Sequence, residues 1–236
     1  MSPDNHNIIV IPTYNERNNI KPLLEAIDGL KDFKADVLFV DDNSPDGTAE
    51  LIDEIRAHRP GTYLMRRPCK MGLGSAYIDG FRYALDKGYQ YIFEMDADLS
   101  HSPLYLEQVA RSLCQFDVVT TSRFRGELRN INRTPLRIIN SILAAMFIKL
   151  LLGLKCSDPM SGFTGFRRKA LEALDFPGFV SKGYAFQAEI KYLCKQKGFS
   201  LYEIPIIFKN RAAGASKISR NDIFEALLLP WKLKFR

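Results

Sequence analysis

The chain has 236 residues, of which 46% are hydrophobic and 25% charged. These values exclude a disordered or fibrous protein and leave room for one substantial core rather than two large enzyme domains. A formal net charge of +6 points to an anionic partner, whether nucleic acid, a phosphorylated metabolite or an acidic membrane surface.

The opening residues MSPDNHNIIVIP show no basic region followed by an apolar stretch and a small-residue cleavage site, so a secretory signal is not expected. Cys69, Cys114, Cys156 and Cys194 are scattered without Cys-x-x-Cys pairing, which suggests neither a zinc site nor a disulfide framework and fits a reducing compartment. From there strand and helix patterns alternate. NIIVIP is a β-branched run, NIKPLLEAIDGL has helical spacing, DVLFVDD is a strand and TAELIDEIRAH a helix. TYLMR, GSAYIDGFRYALDKG, YQYIFEMD, SPLYLEQVARSLCQ and FDVVTTSR continue the alternation, the pattern of an α/β fold whose mostly parallel sheet is covered by helices.

Three of these strands end in acidic or polar positions, in IPTYNE, FVDDNSPDGT and EMDADLSH. Ligands of open parallel sheets bind beyond the carboxyl ends of the strands, so the three loops are expected to converge on one crevice. That crevice offers acids rather than an anion cradle. KMGLGSAY is not followed by the Lys-Ser/Thr of a P-loop, and no Gly-x-Gly-x-x-Gly opens the first helix. Carboxylates repel a phosphate unless a divalent cation lies between them, and Mg²⁺ or Mn²⁺ is held by one or two carboxylates together with substrate phosphates. Asp96 and Asp98 have the chemistry for that bridge.

In this order, IPTYNE, VDDNSPDGT, MDADLSH and SKGYAFQAEI resemble the motifs of GT-A glycosyltransferases of the polyprenyl-phosphate mannosyltransferase type, the dolichol-phosphate mannose synthases. The resemblance runs through almost the whole chain. It implies a single nucleotide-sugar-binding α/β sandwich over residues 1–236, dependent on Mg²⁺ or Mn²⁺. The implied reaction moves mannose from GDP-mannose to a polyprenyl (dolichyl) monophosphate with inversion at the anomeric carbon. Around the donor it places Pro12, Tyr14, Glu16, Val40 and Asp42, then Asp96, Ala97 and Asp98 at the diphosphate, with Arg211 and Lys217 of NRAAGASK beyond them. The metal falls to Asp96 and Asp98, with Ser100 where relatives often have Gln, a shorter hydroxyl suited to acting through water. Arg123, Arg137 and Ser141 receive the acceptor phosphate, and Asp98, Arg123 and Arg137 are the residues expected to carry catalysis. None of His6, His58 and His101 is an obvious general base. None is required, because a phosphate monoester with a second pKa of about 6 arrives largely as the dianion.

Residues 123–137 carry Arg123, Arg125, Arg129, Arg133 and Arg137 against Glu127 alone, a formal charge of +4. Gly126 and Pro135 interrupt a helix there, so a loop that closes over anions is expected. Arg125, Arg129 and Arg133 read as solvated surface charges. The following LRIINSILAAMFIKLLLGLK predicts a helix over 136–154, with Arg137, Ser141, Ala145 and Lys149 on one stripe beside a broad apolar surface. From Ile138 to Leu154 it reaches roughly 25 Å, short of a hydrocarbon core of about 30 Å. An interfacial helix is the expectation, with an ordinary core helix as the alternative. Residues 219–236, with Trp231, Lys232, Lys234 and Arg236, form a second amphipathic segment suited to a headgroup region.

These features predict a protein held peripherally at the cytoplasmic face of a membrane, with or without separate membrane subunits. Three competing functions are weaker. An Asp-nucleophile phosphatase or nucleotidyltransferase would share the acidic pair, but Leu99 follows Asp98 where a phosphatase has Thr. No nucleic-acid-binding pattern accompanies the arginines, so no nucleic acid is expected. A polyprenyl-phosphate glucosyltransferase using UDP-glucose would need almost the same metal and acceptor machinery.

Overall fold

The structure is a computed structural model that describes residues 6–125, 130–131, 135–209 and 220–234, with side chains described for these except 130–131, 135–137, 209 and 220–223. The first half builds as the alternation predicts, through β1 (Asn7–Thr13), α1 (Arg17–Asp28), β2 (Asp36–Asp41), α2 (Thr48–Arg56), β3 (Thr62–Arg66), α3 (Leu73–Asp86), β4 (Tyr91–Glu94), α4 (Tyr105–Leu113) and β5 (Val118–Ser122). A two-residue strand β6 (Asn130–Ile131) precedes α5 (Pro135–Leu152). Then come β7 (Thr164–Arg167), α6 (Arg168–Glu172), α7 (Phe186–Gln196), β8 (Leu201–Pro205), β9 (Phe208–Lys209) and α8 (Arg220–Lys234).

Seven strands form one sheet in the order β3-β2-β1-β4-β7-β5-β8. The pairs β1–β2, β2–β3, β1–β4 and β5–β8 are parallel, whereas β7 runs antiparallel to both β4 and β5. The strand order reverses between β1 and β4, which opens a crevice beyond their carboxyl ends. β1 and β2 are buried on both faces, and this is why their sequences are near-continuous apolar runs rather than alternating ones.

One face is closed by Ile20, Leu23 and Ile27 of α1 with Leu106, Val109 and Leu113 of α4. The other is closed by Tyr77, Phe81 and Ala84 of α3 with Phe186 and Ile190 of α7. Each fully buried Ile, Leu, Val or Phe among them contributes about 1.5–3 kcal/mol. Gly80 lets α3 approach the sheet, since a Cβ there would fall inside van der Waals contact with Val10. A third cluster joins Ile148 and Leu152 of α5, Ala185 and Ala188 at the start of α7, and Leu229 and Leu233 of α8.

Helix α5 covers most of the predicted 136–154 span. It buries Ala145, Ile148 and Leu152 and exposes Ile139, Leu143, Met146, Phe147 and Leu150, the last 82% accessible. Helix α8 likewise buries Leu229 and Leu233 and exposes Phe224, Leu227, Leu228 and Trp231. Among the described residues no helix is long and apolar enough to cross a membrane.

Candidate active site at the carboxyl ends of the strands

The loops after β1, β2 and β4 meet at a cavity of about 320 Å³ lined by Pro12, Thr13, Tyr14, Glu16, Asp42, Asp96, Ala97 and Asp98, together with Lys70, Gly72, Leu73, Ala76, Gly183 and Tyr184. Seven of the ten sequence-predicted donor residues are thus brought together, and Arg211 and Lys217 lie outside the described residues. The remaining one, Val40, is fully buried in the core between the sheet and α3, where its Cγ2 lies beside Gly80, and it does not line the cavity.

Polar contacts set each loop. Thr13 Oγ1 donates to Asp41 Oδ1 at 2.9 Å, and Asp41 also accepts from the Ser44 amide and hydroxyl. Asp41 is therefore committed to tying the ends of β1 and β2 to the loop at Ser44, and its neighbour Asp42 lines the cavity. Glu16 donates its N–H to Thr48 Oγ1 and accepts from Asn19 Nδ2 at 2.6 Å. Asp42 Oδ1 lies 2.7 Å from Arg67 Nη1, an ion pair without hydrogen-bond alignment, and Asp42 Oδ2 accepts the Met71 N–H at 3.2 Å. Burial pushes the Asp42 carboxyl up, against the pull of Arg67. Lys70 Nζ sits 4.4 Å over the Tyr14 ring, a cation–π contact at the cavity wall.

On the acidic loop, Asp98 is buried and accepts the Ser100 N–H at 3.0 Å, a turn made possible by Leu99 in the left-handed region at φ 59°. Ser100 itself is buried and does not line the cavity. Tyr77, fully buried in a cluster of rings with Phe81 and Phe186, donates to Asp96 Oδ1 at 3.3 Å. Burial and then the Asp96 charge push its phenol well up, so it stays a neutral donor. Two buried titratable groups bracket the loop. Burial drives Glu94, at the end of β4, up to about 7. Burial drives His101 down to about 4, between the rings of Phe163 and Phe208, and among the described residues neither ring nitrogen has a hydrogen-bond partner.

Arg123 follows β5 and is gripped by Asp158: Nε donates to Oδ2 at 2.6 Å and Nη2 to Oδ1 at 2.8 Å. Burial alone would raise the Asp158 carboxyl, but the guanidinium outweighs it and holds the group below the usual carboxylate range. Glu203 accepts from the Ser157 and Asp158 amides at 2.7 and 3.0 Å, fixing the segment that carries Asp158. Lys191, wholly buried on α7, donates to the carbonyls of Pro159, Ser161 and Gln187 at 3.2, 2.7 and 3.2 Å. The Gln187 amide, in the orientation its neighbours dictate, donates to Glu94 Oε1 at 2.6 Å. Arg125, exposed as expected, still donates to the Glu203 carbonyl at 2.6 Å.

Ser141 lies on α5 one turn beyond Arg137, whose side chain is not described. Arg211 and Lys217 lie outside the described residues, as do Arg129 and Arg133. Sequence reading did not find Lys70, Tyr77, Gly183, Tyr184, Asp158 or Lys191. For Lys70, Gly183 and Tyr184 a signal existed, since they stand at or within two residues of the glycines in KMGLG and SKGYAF, where backbone can approach a ligand closely.

Among the described residues the cavity wall carries four carboxylates, Glu16, Asp42, Asp96 and Asp98, and one cation, Lys70, with Arg67 paired to Asp42 behind it. Among the described residues no group of three or more His, Cys, Asp or Glu side chains could hold a metal ion unaided. This donor set fits a divalent ion that completes its shell with substrate phosphates, and it does not fit a closed structural metal site.

The profile of glycosyl transferase family 2 matches residues 8–175. Polyprenol monophosphomannose synthase of Mycolicibacterium smegmatis is 37% identical over 240 residues, covering 99% of this chain and 89% of its own. Undecaprenyl-phosphate mannosyltransferase of Micrococcus luteus is 36% identical over 223 residues, covering 94% and 90%. Among solved structures, glucosyl-3-phosphoglycerate synthase from Mycobacterium tuberculosis in complex with Mn²⁺, UDP-glucose and glycerol 3-phosphate superposes with a TM-score of 0.65 at 17% identity, over 96% of this chain and 80% of its own. That likeness speaks for the fold alone.

Proposed function

The chain belongs to glycosyl transferase family 2, and from that premise we propose that it transfers mannose from GDP-mannose to a polyprenyl monophosphate. The observation that carries this reading is the acidic character of the cavity: among the described residues four carboxylates and one lysine line it, and the pair Asp96 and Asp98 would repel a diphosphate unless a divalent cation came with it. The two mannosyltransferase relatives, matched over nearly their whole lengths, support the sugar and the lipid acceptor.

In this reading the base and ribose lie between Tyr14, Lys70, Glu16 and Asp42, where carboxylates accept from ribose hydroxyls and guanine N–H groups. Mg²⁺ or Mn²⁺, held by Asp96 and Asp98 with Ser100 behind them, would neutralise the diphosphate leaving group. A phosphate oxygen of the acceptor attacks the anomeric carbon from the face opposite GDP. The bond from that carbon to the diphosphate oxygen breaks, GDP leaves with the electron pair, and the configuration inverts. Arg123, fixed by Asp158, and Arg137 with Ser141 hold the acceptor phosphate in line. Arg211 and Lys217 complete the donor side.

One globular catalytic domain, with α5 and α8 lying along a membrane surface, is part of the same proposal. The exposed Ile139, Leu143, Met146, Phe147 and Leu150 of α5, and Phe224, Leu228 and Trp231 of α8, support peripheral attachment, and the cytoplasmic face is part of the proposal.

Radiolabelled GDP-mannose, UDP-glucose and UDP-galactose, each incubated with a polyprenyl phosphate and Mn²⁺ or Mg²⁺, test it. Label is expected in the organic phase from GDP-mannose only. Labelled lipid from UDP-glucose instead would replace the donor and leave the acceptor standing, whereas no labelled lipid from any donor would end the proposal.

A further inference from the structure

One wall of the cavity comes from a part of the chain that the strand-end loops do not control. Gly183 and Tyr184 line the cavity just before α7, and their segment is held by glutamates of two different helices. Glu189 of α7 accepts the N–H groups of Val180 and Ser181, both at 2.8 Å. Glu225 of α8 accepts those of Lys182 at 2.6 Å and Gly183 at 3.0 Å, one with each carboxylate oxygen. The segment is also pressed against another lining residue. The Lys182 carbonyl accepts the Gly74 N–H at 2.9 Å, and a Cβ at Gly72, whose φ is +102°, would sit 2.7 Å from that oxygen.

Glu189 sits beside the segment in sequence and lies in the core, but Glu225 is 42 residues from Gly183 and stands on the helix that exposes Phe224, Leu228 and Trp231. The inner face of α8, Leu229 and Leu233, packs with Ala185 and Ala188 directly after the segment. A charged acceptor bridging two consecutive N–H groups restricts both peptide planes at once. Without it the chain at Gly183 regains the broad conformational freedom of glycine, and ordering that wall falls to the ligand.

We propose that Glu225 is a positioning residue for the nucleotide-sugar donor, fixing the 182–184 wall of the cavity from helix α8. The proposal rests on the reading of this cavity as the donor site.

The test compares Glu225→Ala and Glu225→Gln with the parent. Donor KM and kcat are measured at saturating polyprenyl phosphate, GDP and UDP binding in Mn²⁺ by calorimetry, and sedimentation with anionic vesicles. Expected for Glu225→Ala is a rise of about tenfold in donor KM and in nucleotide Kd, since the wall must then be ordered by the ligand, with kcat and lipid KM within twofold and vesicle binding retained. Glu225→Gln, which keeps one acceptor oxygen and turns an NH₂ toward the other N–H, should fall between. Parental donor KM and nucleotide Kd in both variants would overturn the proposal. So would a joint loss of kcat, lipid KM and vesicle binding, because Glu225 would then only be holding α8 in place. If the parent binds nucleotide but transfers no mannose, the proposed activity fails and the nucleotide Kd still decides the role of Glu225. If the parent binds neither nucleotide, both fail together.

Discussion

Alanine in place of Asp98 should reduce mannosyl transfer on the order of 10²–10³-fold or more, while removing the metal dependence of GDP binding. Asp98 is buried, lines the cavity beside Asp96 and Ala97, and has its carboxylate aligned by the Ser100 N–H. Among the described residues the local side chains cannot hold a cation unaided, so losing one of two carboxylates should remove most of the ion's attachment. Calorimetric titration of GDP with and without Mn²⁺ reads the effect apart from turnover. Ser100→Ala should be much milder, since that side chain does not line the cavity. An Asp98→Ala protein that folds, turns over normally and still binds GDP more tightly with Mn²⁺ would remove the acidic pair from the metal.

Lys191→Met should cost about 3–5 kcal/mol of folding stability, as expected when one partner of a buried charged network is removed. The ammonium is wholly buried and serves three carbonyls, two of them in the 159–161 turn. Burial holds Lys191 below the usual lysine range, and the nearby Glu94 carboxylate acts against that. Methionine keeps the volume and supplies no donor, so the Pro159 and Ser161 carbonyls lose the ammonium, the latter keeping the Gln187 amide at 3.3 Å, and Glu94 loses its cationic neighbour. Urea midpoints give the loss, and Glu94→Gln in the same background should return part of it, since neighbours in one network couple. A Lys191→Met cost below about 1 kcal/mol would show that the turn is held by its other contacts.

How much of this could be read in the sequence depended on whether the information was local. The loops of β1, β2 and β4 were legible because apolar runs that stop on acids are local signals, and parallel topology sends their ends to one side. The antiparallel placement of β7 was not, since TGFR is four residues long and its direction is set by the path of the preceding chain. The resemblance assigned Val40 to the donor beside Asp42, but Val40 lies within β2 and Asp42 just past its end. The strand does not show that α3, brought close by Gly80, covers position 40 and stops short of 42. Asp158 and Lys191 were invisible for a related reason. Charges in SDPMSG and FQAEIK look like solvated surface, and the groups that satisfy them, Arg123 and the 159–161 carbonyls, lie about 30 residues away in sequence. The apolar surface of the 136–154 helix was legible as a pattern, but which half faces the core was decided by α8, through Leu229 and Leu233.

The two buried groups that bracket the acidic loop give the molecule a balanced proton inventory. Glu94 moves from an ordinary 4.5 up to about 7 on folding, so it favours the folded state below pH 4.5, and that advantage is lost as pH rises through 7. His101 moves from 6.5 down to about 4, so its favourable contribution is complete above pH 6.5 and is lost as pH falls through 4. Between these limits folding takes up a proton at one end of the loop and gives one away at the other. Each site alone would tilt stability by about 3 kcal/mol across its range, and the tilts oppose. Urea midpoints of the parent should therefore vary little from these two groups between pH 4.5 and 6.5. Glu94→Gln should lose stability on acidification across that interval and His101→Phe should gain it, and parental slopes in both variants would mean that neither group is a proton reservoir. The loop that carries Asp96 and Asp98 would then keep its footing through mild acid because two opposite protonic errors cancel beneath it.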